Sequence, residues 1–311
     1  MALGVVTANY CFRGFYNGIG RSRTYMQTLL VIHALNIGLN WVLIYGHLGA
    51  PAMGVRGAAL ASAIAPAIGT LLYVIFTWAD VTLRTTYRPF RFAGIDRRIG
   101  RALVRLSWPE ALRGIGLMLG YLLFLRLHSA IGTREAAAGT ILVQLASVGF
   151  LPALGFGMAG ATLVGRALGA NDVDEARRSV WQIVRLALTL VLAPALLLQV
   201  APDLVLSIFT RDGVVIELAR PAIRLLGLSF LIDVLPFVLI TSLIGAGATR
   251  WAAAVQVGAQ YVLLLPLAWL LGIALSWGVF GLWIAMVIAR ATLGFVALRR
   301  FQGTSWERIA V

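Results

Sequence analysis

The sequence contains no lysine; all 26 of its basic residues are arginine. We read that as a compositional bias without functional weight. It has one cysteine, Cys11, three histidines and only 12 acidic residues among 311. A single cysteine excludes an internal disulfide and a cysteine-based metal site within the chain. No H-E-x-x-H, G-x-S-x-G or phosphate-loop signature is present, so no enzyme, no resident metal and no organic cofactor is expected. The shortage of acid leaves a net charge of +14, which in a soluble domain would suggest nucleic acid. Here the arginines sit mainly between long apolar runs, and no nucleic-acid partner is expected.

Apolar side chains are abundant. They make up 60% of the sequence, with a mean hydropathy of +0.89. A water-soluble domain of this size could not bury so many. Runs of about 20 apolar residues mark membrane-spanning helices. They fall near 25–46, 54–78, 106–130, 136–165, 180–200, 219–244, 252–274 and 279–298, after an apolar stub at 1–16 too short for a full span. The fold class expected is all-α and polytopic, with eight full spans plus a stub. Eighteen arginines lie in one alternate set of connections and only Arg56, Arg134 and Arg211 in the other. The positive-inside rule puts the first set, and with it the C-terminus, in the cytoplasm beside membrane lipid. Arg113, Arg126, Arg220, Arg224 and Arg290 lie in spans or at their ends. His47 and His128 fall near span ends and are expected to be solvated.

A long-period repeat organises the chain. Gly18-Ile19-Gly20-Arg21-Ser22-Arg23 returns as Gly245-Ala246-Gly247-Ala248-Thr249-Arg250, at an offset of 227. Gly54-Val55-Arg56-Gly57 returns as Gly278-Val279-Phe280-Gly281, at 224. The copies are an even number of spans apart, which predicts parallel repeats and two similar lobes. The division expected is 1–78 for the remainder of an N-terminal lobe, 79–100 for an arginine-rich cytoplasmic linker, 101–298 for a six-helix lobe and 299–311 for a cytoplasmic tail. Met1 corresponds to Leu228, so the chain is expected to be an N-terminally shortened form of a 12-span protein, lacking about 127 residues.

Gly155-Phe156-Gly157-Met158-Ala159-Gly160 spells a dinucleotide fingerprint, but it lies in an apolar helix without the strand and polar cleft that chemistry needs. With Gly165 and Gly169 it reads as a small-residue face for helix packing. The run from Pro152 through Gly165-Arg166, Gly169-Ala170 and Ala176 resembles the second helix of a lobe in the multidrug and toxic compound extrusion (MATE) family. So do Gly18 and Gly20, Asn36 to Asn40, Gly46, Gly49-Ala50-Pro51 and Gly54 to Ala59. The resemblance covers nearly the whole chain. It implies a two-lobed, 12-helix antiporter of the bacterial inner membrane that exports drugs or organic cations against inward Na⁺ or H⁺. A lipid-linked saccharide flippase of the same superfamily, with Arg113 and Arg126 in a cationic cavity, is the rival. A chain that transports nothing is another, and a membrane-embedded enzyme is a weaker one.

Two acids fall inside spans, Glu110 and Asp233, and a carboxylate at membrane depth is functional by default. Pro236 cannot donate to the Ile232 carbonyl, leaving a spare oxygen beside Asp233. The resemblance makes Asp233 the family's cation-coupling acid. Glu110 follows Pro109 and is expected near a helix start, where an acid suits the helix dipole. His33, Asn36 and Asn40 share one helix face. The resemblance implies a first-lobe cation site from Asn36, Asn40, the Ala58 carbonyl and Ser62, with Asn40 standing where other members carry an acid.

Overall fold

The computed structural model describes residues 2–87, 89 and 96–307. Every regular element among them is helical. The chain divides into two compact units, Met1–Ile95 and Asp96–Val311.

The first unit contains α1 (Ala2–Gly18), α2 (Ser22–Tyr45) and α3 (Val55–Ala79), then a π-helical turn at Leu83–Tyr87. The second contains α4 (Arg97–Ile131), α5 (Thr133–Gly169), α6 (Val173–Val200), the short α7 (Pro202–Ser207) and α8 (Gly213–Gly245). A span over Thr249–Ala274 follows, built from α9 (Thr249–Gly258), α10 (Leu265–Trp269) and two π-helical turns; α11 (Gly278–Gln302) ends it. Among the described residues, eight helices are long and apolar enough to cross a membrane, the number expected. Helices are the form that lets a spanning chain satisfy its own backbone in hydrocarbon. Pro66, Pro109, Pro152, Pro194, Pro221 and Pro236 all sit inside helices, as membrane helices tolerate.

Helix starts are fixed by local chemistry. Asp96 accepts from the Arg98 N–H at 2.7 Å, Asp172 from Glu175 at 2.9 Å and Asp212 from Val214 at 2.9 Å, each satisfying a donor that the first turn leaves free. The cap at Asp96 starts α4 nine residues before the span expected at 106, so Arg97 and Arg98 of the expected linker are helical. That linker is described only in part, since residues 88 and 90–95 lie outside the described residues, as does Arg308 of the tail. The tail expected at 299–311 begins inside α11 and folds back. Trp306 is buried, its indole N–H donates to the Phe301 carbonyl at 2.8 Å, and Arg177 of α6 pairs with Glu307.

The repeat reappears in the backbone. Gly20 and Gly247 have φ of 79° and 90°, and Gly54 and Gly278 have φ of 53° and 62°. These are conformations glycine adopts without steric penalty.

In the second unit α8 packs against α5, α6 and α11. Between lipid-embedded helices the hydrophobic drive is small and close fit decides. Glycines of α5 supply it: a Cβ on Gly157 would meet Thr241 Oγ1 at 2.9 Å and the Phe237 carbonyl at 3.0 Å, while Gly149 lies under the Phe230 ring and Gly160 against Ser242. Gly155 and Gly169 face open space. They are not part of this packing, because the helix turns them away from α8. In the first unit Tyr16 and Thr77 share a hydrogen bond of 2.9 Å, Tyr73 donates to the Tyr25 carbonyl at 3.2 Å, and Phe12 stacks on Tyr73 at 5.3 Å.

Candidate functional site

Asp233 lies on α8, twelve residues before its last residue, Gly245. Its side chain is 18% exposed. Across from it, Arg290 lies twelve residues into α11, with Nε 3.7 Å from Asp233 Oδ1. That separation is an ion pair but exceeds hydrogen-bond range, and Oδ1 is a buried oxygen with no hydrogen-bond partner. The Arg290 guanidinium also lies 4.9 Å from the centroid of the Phe237 ring, one helical turn after Asp233. Phe150 of α5 meets Phe237 edge-on at 5.0 Å. Where α8 crosses α11, a Cβ on Gly294 would sit 3.2 Å from Pro236 Cδ, so the small residue lets the two charged helices approach. The site is thus a carboxylate, a guanidinium and two aromatic rings at mid-span.

The sequence marks Arg290 as ionisable within a span, the signal that could have found it. What it does not give is the partner, which lies on another helix.

Glu110 is thirteen residues into α4, whose first residue is Arg97. The helix-start reading is therefore corrected: Asp96 caps the helix, and Pro109 and Glu110 lie in its interior. Arg113 pairs with Glu110, its Nε donating at 2.8 Å, and its Nη1 donates to Gln256 Oε1 at 2.8 Å. Glu110 is thereby held by a neighbouring arginine in a link from α4 to α9.

In the first unit, Asn40 Nδ2 donates to Asn36 Oδ1 at 3.1 Å, and Asn40 Oδ1 is buried without a partner. The structure brings these two together. His33 and Ser62 are exposed and Ala58 is half-buried. Asn9 on α1 is a polar centre that sequence reasoning missed. Its Nδ2 lies 2.8 Å from Thr70 Oγ1 and 3.0 Å from the Pro66 carbonyl of α3. His128 is also corrected, being buried rather than solvated. Its Nδ1 lies 3.0 Å from the Phe124 carbonyl, and its ring packs over Gly139. Among the described residues no cluster of histidine, cysteine and acid could hold a metal.

A protein of Thermotoga maritima described as "Probable multidrug resistance protein NorM" is 28% identical over 305 residues, covering 96% of this chain and 64% of that one. A Bacillus cereus protein of the same description is 29% identical over 300 residues, covering 93% and 64%. The chain therefore spans 64% of the length of these relatives. A solved structure described as "Crystal structure of MATE in the straight conformation" matches with a TM-score of 0.86 at 20% identity, covering 96% of this chain and 66% of that one; the likeness there is one of fold. The MatE family model matches residues 109–270, a stretch that includes Glu110, the glycine face of α5 and Asp233, and the chain belongs to the MatE family.

Proposed function

We propose that this protein acts in a secondary antiporter that exports drugs or organic cations across the bacterial inner membrane, in exchange for Na⁺ or H⁺. Both relatives carry a multidrug-resistance description, which supports the cargo class. The coupling reading rests on Asp233: a mid-span carboxylate whose Oδ1 is buried and makes no hydrogen bond is an expensive group to keep without a use. A coupling ion on Asp233 would favour one arrangement of the helices and cargo another, and exchange follows if each binds the two states unequally. The paired amides of Asn36 and Asn40, with Ser62, are the candidate first-lobe cation site. Glu110 and His33 are assigned no role in coupling. The arginine distribution supports a cytoplasmic C-terminus. The saccharide-flippase reading is weakened at Arg113, whose charge is met by Glu110.

The test is Asp233→Asn in the complete protein, followed by whole-cell efflux of a cationic dye at matched membrane levels. Efflux should fall by about fivefold or more, the lower end of an ordinary coupling free energy. Wild-type efflux with unchanged ion dependence would remove Asp233 from the mechanism and shift attention to Asn36 and Asn40.

A further inference from the structure

We propose that Arg290 is a built-in cation that occupies Asp233 when no coupling ion is bound, so that Na⁺ or H⁺ enters by displacing it. This rests on the reading of Asp233 as the coupling acid. Three observations carry it.

The pair is loose. At 3.7 Å Arg290 attracts Asp233 Oδ1 without hydrogen-bonding to it, and Oδ1 has no other partner. A permanent structural bridge would close to a charge-assisted hydrogen bond, as Arg113 does on Glu110.

The guanidinium has a second contact that does not depend on the carboxylate. The Phe237 ring lies 4.9 Å away, one turn along α8, and an aromatic face stabilises a desolvated cation. The guanidinium holds both contacts at once, 3.7 Å from the carboxylate and 4.9 Å from the ring centroid, so an ion that takes the carboxylate leaves it on the ring.

No other charge competes. The elements packed on α8 carry no Asp, Glu, His or Arg between Glu135 and Arg166 on α5, after Arg185 on α6, after Arg250 in the Thr249–Ala274 span, or on α11 before Arg299 except Arg290; α7 carries Asp203, which pairs with Arg220 at the other end of α8. On α8 itself the nearest charge is Arg224, nine residues earlier. Glu110 and Arg113 on α4 pair with each other. Exchanging Arg290 for Na⁺ or H⁺ thus keeps one positive charge opposite Asp233 throughout. The Ile232 carbonyl, freed by Pro236, offers an incoming Na⁺ a second oxygen ligand. Because Arg290 belongs to α11, its release also removes the ionic tie between α11 and α8, giving the cation a conformational consequence.

The experiment uses purified complete protein in lipid nanodiscs, with two arms: binding of radioactive sodium at fixed pH, and proton uptake on acidification without sodium. Arg290→Met should make one arm about tenfold or more easier, the size expected when an opposing charge at ion-pair distance is removed. Arg290→Lys should stay near wild type, and Asp233→Asn with Arg290→Met should abolish the gain. Phe237→Leu removes the resting place and should weaken cation binding by about two- to fivefold, the worth of one cation–π contact; it keeps the test open if Arg290→Met does not fold. Wild-type or weaker cation binding by Arg290→Met in both arms overturns the proposal, as does unchanged binding by Phe237→Leu. The binding readout is separate from dye efflux. If Asp233→Asn still pumps dye while Arg290→Met tightens cation binding, the coupling role fails and the displaceable ion pair stands.

Discussion

In the first unit Gly20 turns the chain from α1 into α2, and Gly57 brings α3 against the backbone of Leu43; in the second, Gly247 turns α8 into α9, and a Cβ on Gly281 would lie 2.6 Å from the Leu271 carbonyl. The two halves of the repeat thus share their turns and one close helix crossing. They differ in what the first and third helices hold between them. At the offset of 227, Asn9 corresponds to Pro236, and at 224, Pro66 and Thr70 correspond to Arg290 and Gly294. The first copy joins its helices through a neutral amide, from Asn9 to Thr70 and Pro66. The second joins them by the Pro236–Gly294 contact and places a charged pair one turn away. A repeated backbone constrains the crossing but leaves its polar content free, so one copy can be structural where the other can carry an exchangeable ion.

The largest effect is expected at the shared crossing. Gly57→Val and Gly281→Val each push a side chain into another helix's backbone, and each should destabilise by about 1–3 kcal/mol or more. Thermal melting of the detergent-solubilised protein measures both. If only one of the two lowers the melting temperature, the crossings are not equivalent.

A smaller effect separates the polar centres. Asn9→Leu removes the amide link between α1 and α3 and should lower stability by about 0.6–2 kcal/mol, the range for interhelical hydrogen bonds in membranes. Dye efflux per folded molecule should be unchanged. A collapse of efflux at full stability would give Asn9 a role like the one proposed for Asp233.

The smallest concerns a feature of one copy only. Asp80 pairs with Arg21, whereas the corresponding positions of the second copy are Thr304 and Ala248. The hydrogen bond from Arg21, and then that from the Leu83 N–H, hold the Asp80 carboxyl below its ordinary 3.8. A carboxyl lowered on folding contributes stability above its unfolded value and loses it as pH falls through the folded one. Wild type should therefore melt slightly above Asp80→Asn at neutral pH, and the two should converge on acidification past the lowered value. A difference that persists at the acid end would assign the stabilisation to something other than this charge.

Much of the fold is legible in the sequence. The eight spans are read from apolar run length, and the turns from glycines that must take positive φ, both of which depend on neighbouring residues alone. The beginning of α4 was misplaced because an arginine-rich segment reads as polar loop, while a cap at Asp96 and a side chain's freedom to reach water make it helix. Of the candidate site, Asp233 stood out as an acid in an apolar run, but its partner did not, being 57 residues away on another helix. The helix-start reading of Glu110 fails for the same reason as the start of α4: with α4 capped at Asp96, Pro109 and Glu110 fall in the helix interior. His128 was placed by its distance from a span end, whereas its burial depends on α5 presenting Gly139 to its ring.

From the sequence alone it follows that this chain is a set of membrane-length helices, that its helix ends recur at offsets of 227 and 224, and that a carboxylate lies at mid-span. Those features follow from hydropathy, backbone sterics and the desolvation of charge, which act residue by residue or over a few turns. The packing of the helices sets which glycines are packing faces, which histidine is buried, and that Arg290 meets both Asp233, beyond hydrogen-bond range, and the Phe237 ring. Those depend on how each helix is rotated about its axis against its neighbours, and that rotation is set by the fit of many side chains at once.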